Sequence, residues 1–172
     1  MRVATQIILE LSLLAAAAQP ASSQSAFTPL PDGAAAGLSV DRFHYEDGGA
    51  ITAVGFHLSR LRHNGGGPEL GVAFFPLYLQ LPALVAAPDA GVAFNISLPA
   101  ATLLLRGGVG AFVGLGGGLS AFFPGAHLGG GALVRLDRRT ALRADVLKRW
   151  YLVDGETEPY WSIGLGFSVL HQ

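Results

Sequence analysis

From Thr157 to Leu170 the chain changes character at every residue. Trp161, Ile163, Leu165, Phe167 and Val169 fall on one parity, and Tyr160, Ser162, Gly164, Gly166 and Ser168 on the other. Successive side chains of a strand point to opposite faces, so this segment reads as a strand with one apolar face and one face of small or polar groups. The period of two recurs along the chain. Thr102–Leu115 sets Leu103, Leu105, Val109, Ala111, Val113 and Leu115 against Thr102, Arg106, Gly108, Gly110 and Gly114, with Leu104 and Phe112 as exceptions. Ala90–Leu98 sets Val92, Phe94, Ile96 and Leu98 against Gly91, Ala93, Asn95 and Ser97; in Ala50–Leu61, Thr52, Val54, Phe56 and Leu58 oppose Gly55, His57 and Ser59. Gly37–Tyr45 is a shorter version, with Leu38 and Val40 against Ser39 and Asp41.

Three segments complete the pattern. In Glu69–Leu81 the apolar parity changes midway and Pro76 lacks a ladder donor; a β-bulge at Phe75-Pro76 would keep Leu70, Val72, Phe74, Leu77, Leu79 and Leu81 on one face. His127–Asp137 and Ala141–Val153 hold scarce charges at alternate positions between leucines and valines, in a chain that is only 13% charged. The pattern predicts an all-β chain of eight antiparallel strands, an even number in the range of the smallest transmembrane barrels.

Composition narrows the function classes. A net charge of -1 gives no basic face for nucleic acid, and the absence of cysteine removes disulfides, thiol catalysis and cysteine metal sites. The five histidines are scattered, without the carboxylate spacing of a metal site, so neither metal nor other cofactor is expected. Arg2, the apolar run Ile7–Ala18 and the small residues Ala21-Ser22-Ser23 read as a cleaved signal peptide over residues 1–23, followed by a linker over 24–36 and a barrel over 37–172.

Period two leaves open which face meets water. In a soluble lipocalin-like carrier the apolar face would line the interior, whereas in a membrane barrel it faces lipid. A solvated strand face normally carries Lys, Glu, Thr and Arg, but here the second face is mostly Gly, Ser and Ala. Small residues suit an eight-stranded interior, which is just wide enough to be filled by side chains. The alternation thus favours a membrane barrel in contact with outer-membrane lipid. Trp150 and Trp161, on the apolar face beside the turn at Gly155, would form an aromatic girdle, with Lys148 reaching toward the headgroups. The segments "QLPALVAAPDA" and "GGGLSAFFPGA" read as long outer loops, and "LPAA" and "DRRT" as short inner turns.

With its strand number, alternation, aromatic placement and signal segment, Gly37–Leu170 resembles the small eight-stranded outer-membrane β-barrels that include OmpA, OmpX and the opacity-type proteins. The resemblance implies a monomeric barrel in the bacterial outer membrane. Barrels of that group commonly end in an aromatic residue read by the assembly machinery; this chain ends "FSVLHQ".

Three sets of residues could carry function. Asp41, Arg106, Arg135, Asp137, Arg143, Asp145 and Arg149 have inward parity and are expected to form an ion-pair network, with Arg135/Asp145 and Asp137/Arg143 meeting across their hairpin. Such a network would fill the lumen, so a structural or surface-interaction role is expected in place of a general pore. Leu84, Val85, Phe122 and Phe123 are expected as apolar loop tips that could bind a surface partner. His57 and Ser59 resemble the His and Ser of the PagL-type lipid A deacylases, which implies a lipid-modifying hydrolase as the alternative function, although "FHLSRLRHN" lacks the Ser-Asn-Ala continuation and the pair points inward.

Overall fold

A computed structural model of the chain describes residues 32–46, 48–76, 83–99, 101–116 and 119–171. They form strands β1 (Gly33–His44), β2 (Ala50–Leu61), β3 (Gly66–Phe74), β4 (Ala83–Ser97), β5 (Thr102–Gly116), β6 (Leu119–Arg135), β7 (Thr140–Val153) and β8 (Glu156–His171). Each strand pairs antiparallel with its neighbours in sequence, and β1 closes on β8 from Ala34↔His171 to His44↔Trp161. The result is an eight-stranded up-and-down barrel. Closure removes the edge strands whose unpaired N–H and C=O groups would otherwise demand water or a partner.

The side chains are arranged inside out relative to a soluble domain. Val109 is 65% exposed, Phe122 67% and Phe167 61%, whereas Arg143 is 2% exposed and Ser168 is fully buried. Leu38, Val40, Phe56, Leu105 and Leu128 extend the apolar exterior around the wall. A soluble carrier would reverse this polarity. The interior follows from the small residues of the other face. Asp41 lies across Gly55 and Gly164, and Asp145 lies across Gly131; a Cβ at any of these glycines would collide with a carboxylate oxygen. Glycine on the inward face is thus the space into which acidic side chains fold.

The strand bounds differ most from expectation on four strands. β1 begins at Gly33, four residues before Gly37, because Ala34, Ala35 and Ala36 are too alike to show alternation; Ala35 is fully buried. β3 stops at Phe74, before the expected bulge at Phe75-Pro76, whose far side lies outside the described residues: Phe75 faces inward, donates its amide to the Val85 carbonyl at 3.0 Å, and is 2% exposed. Pro76, without an N–H, cannot extend the ladder. Leu77, Leu79 and Leu81, like the signal segment and the linker up to residue 31, lie outside the described residues.

The third and fourth differences are in β4 and β6, which take in most of the two expected outer loops. Leu84 points out (49% exposed) and Val85 in (4%), both within β4; Phe122 and Phe123 alternate in the same way within β6. At this end the interior is itself apolar, so consecutive hydrophobic residues face opposite sides and the hydrophobic alternation vanishes while the strand continues. The expected contrast of long outer loops and short turns weakens accordingly: β5 and β6 are joined by residues 117–118 alone. The β7–β8 hairpin turns at Asp154-Gly155, with φ of 50° and 87°, the left-handed pair that a two-residue type I′ turn requires.

Candidate functional site

Arg106 on β5 and Arg143 on β7 point inward and meet the carboxylates of Glu69 on β3 and Asp145 on β7. Arg106 grips Glu69 through two parallel bonds, Nε to Oε2 at 3.0 Å and Nη2 to Oε1 at 2.6 Å. Arg143 donates from Nη2 to the same Oε1 at 2.6 Å and from Nε to Asp145 Oδ2 at 2.6 Å. The fourth side is an ion-pair contact of 3.0 Å between Arg106 Nη1 and Asp145 Oδ1, without hydrogen-bond alignment. Two cations and two anions thus alternate in a closed ring across the barrel, each charge touching two of opposite sign. Taking these groups out of water is costly, and only such mutual pairing offsets it.

A second pair lies nearer the end that carries the β7–β8 turn, here the far end. Arg149 Nη1 donates to Asp89 Oδ2 at 3.0 Å and its Nε donates to Ser162 Oγ at 3.1 Å, while its guanidinium stacks 5.3 Å from the centre of Phe43. Asp41 Oδ2 and the Ser39 hydroxyl lie together against Gly55, and His57 Nε2 lies 2.9 Å from Ser168 Oγ. The space left among these groups is about 30 Å³, room for roughly one water.

Apolar layers bracket the charges. Toward the chain ends, Ala35, Leu61, Leu104, Leu133, Ala141 and Leu170 pack together. Leu104, an exception to its strand's pattern, is here an inward plug. Toward the far end the rings of Phe43, Phe75, Phe112, Tyr151 and Tyr160 form a continuous chain with centroids 5.0–6.0 Å apart. Phe112, the other exception, is its central link. These rings border a cavity of about 150 Å³.

The structure thus brings Arg106, Arg143 and Asp145 together, places Arg149 one layer away and holds Asp41 beside Ser39. Arg135 and Asp137 are not in this network. Arg135 donates to the Asp137 and Arg138 carbonyls, and the Asp137 carboxylate accepts from the Arg139 and Thr140 amides and from the Thr140 hydroxyl, all in the exposed turn 136–139. The expected Arg135/Asp145 and Asp137/Arg143 contacts do not form, because parity fixes the side of the wall and not the depth along it. Glu69 and Asp89 are the members that sequence reasoning missed. Glu69 shares parity with Gly71 and Ala73, so its inward direction was available; Asp89 sat in a segment read as loop. The His57–Ser59 pair is not a pair: His57 reaches Ser168, and Ser59 Oγ has no hydrogen-bond partner among the described residues. Trp150 and Trp161 flank Lys148 on the outer wall, its Nζ 5.7 and 5.5 Å from their ring centres. Leu84 and Phe122 are on that wall too, so they are strand residues and not loop tips.

Comparison with solved structures places this architecture. The crystal structure of Neisserial surface protein A aligns over 80% of this chain and 94% of its own, with a TM-score of 0.55 and 13% identity. The N-terminal β-barrel domain of Pseudomonas aeruginosa OprF aligns over 84% and 100% (TM-score 0.58, 9% identity), and OprG of the same organism over 87% and 100% (0.54, 11%). At these identities the likeness is one of fold, that of the small outer-membrane barrels. No protein-family model matches the sequence, and no curated protein matches it.

Proposed function

We propose that the chain is an integral protein of the bacterial outer membrane, with a barrel interior closed to solutes and a structural or surface-interaction role without catalysis. The observation that carries the closed interior is the ring Glu69–Arg106–Asp145–Arg143, held between an apolar layer and an aromatic one with about 30 Å³ to spare. Residence in the membrane is supported by the apolar wall and by the closure of the barrel on itself, since an unpaired backbone group in hydrocarbon costs several kcal/mol. The fold shared with OprG, OprF and Neisserial surface protein A supports the outer membrane as that location, and the basic Arg2 before the apolar run Ile7–Ala18 supports residues 1–23 as the export signal. Hydrolysis finds no support: His57 and Ser168 are buried inside the wall, and Ser59 lacks its base.

The refolded chain in a planar bilayer tests this. The expected result is a silent membrane at protein densities where a larger porin conducts. Stepwise openings would refute the closed interior.

A further inference from the structure

The outward positions of the eight strands carry almost no charge, and the charge they carry has one sign. Arg42, Arg60 and Lys148 are on this face, and no outward strand position holds a carboxylate; every acid among the strands faces inward or sits at a strand end. Lipid penalises an exposed cation steeply at mid-depth and little at the headgroups, so these cations mark where the wall meets phosphate. Two of them share one region. Lys148 on β7 is paired in register with Trp161 on β8, which is paired with His44 on β1; Arg42 lies two residues along β1 from His44. Strand spacing and rise put the Arg42 and Lys148 Cα atoms about 12 Å apart, within span of one headgroup for two long side chains. Lys148 is held over both Trp150 and Trp161, and Arg42 is exposed; neither makes an ion pair among the described residues.

We infer that Lys148 and Arg42, framed by Trp150 and Trp161, form a binding site for the headgroup of a phosphate-bearing anionic lipid. This rests on the membrane reading above. The two indoles hold the ammonium in place beforehand, lowering the ordering cost of gripping a phosphate. They also lie where an interfacial ring and an acyl chain meet.

Trp150 and Trp161 are the only tryptophans of the chain, so fluorescence excited selectively at tryptophan, apart from the four tyrosines, reports on this site alone. The chain is refolded into neutral phosphatidylcholine vesicles holding a small, equal fraction of brominated phosphatidylglycerol or brominated phosphatidylcholine. The anionic lipid is expected to be enriched at the indoles about thirtyfold over the neutral one, and about fivefold after Lys148→Gln or Arg42→Gln, from the usual contribution of a basic residue at an anionic surface. The double variant should abolish the preference, with its heat-dependent gel mobility showing that it still folds. Equal quenching by the two lipids in the unaltered chain, or a preference that survives the double substitution, overturns the site. Quenching by neither lipid overturns the membrane reading, and the site with it.

Discussion

Arg143 is the residue on which the interior depends most, because it joins Glu69 to Asp145 while 2% exposed. Arg143→Met would leave two carboxylates sharing Arg106 alone, and removing one partner of a buried ion pair typically costs about 3–5 kcal/mol. The urea midpoint of the vesicle-refolded chain should fall accordingly; an unchanged midpoint would mean the ring is not holding the fold. Asp137 acts differently, in an exposed turn. The hydrogen bonds from the Thr140 hydroxyl and then the Arg139 amide hold its carboxyl below the usual carboxylate range. A depressed folded pKa stabilises the fold above the unfolded value of 3.8, and that contribution is lost as pH falls through the lower folded pKa. Asp137→Asn should therefore lower stability at pH 7, with the gap to the unaltered chain closing below pH 3.8. Parity in the sequence was enough to turn Arg106, Arg143, Asp145 and Arg149 inward. It could not tell that Asp137 caps a turn, since period two carries no information about depth.

At the scale of elements, the strands are legible wherever interior and exterior differ in chemistry. β2 and β8 alternate through polar surroundings and are plain in the sequence, whereas the far ends of β4 and β6 pass an aromatic interior and read as apolar loops. Their recognition needs Phe43 of β1, Phe112 of β5 and Phe75 just past the end of β3, which meet only once the barrel closes. The same closure explains the inward glycines. Gly164 on β8 faces the Asp41 carboxylate of β1, so Gly164→Ala has no space for its Cβ and should cost about 1–3 kcal/mol through overpacking. Gly155→Ala sits in open space and strains only the left-handed turn. Urea unfolding of the two variants separates the effects: steric conflict in the lumen should also be relieved by Asp41→Ser in the Gly164→Ala background. Absence of that rescue would argue against the packing account.

The whole molecule inverts the usual distribution of polarity, with a charged, hydrogen-bonded interior and a wall of leucine, valine and phenylalanine. A wall so broadly apolar is far beyond the patches that soluble monomers expose, and lipid is the solvent that accepts it. On this reading the wall is a membrane-spanning surface. Diluting the urea-unfolded chain into phospholipid vesicles, floating them, and running the floated protein on SDS gels with and without heating tests it most directly. The chain should float with the vesicles, and its unheated band should migrate differently from the heated one. A chain that remains in the aqueous fraction, with heated and unheated bands coinciding, would contradict it.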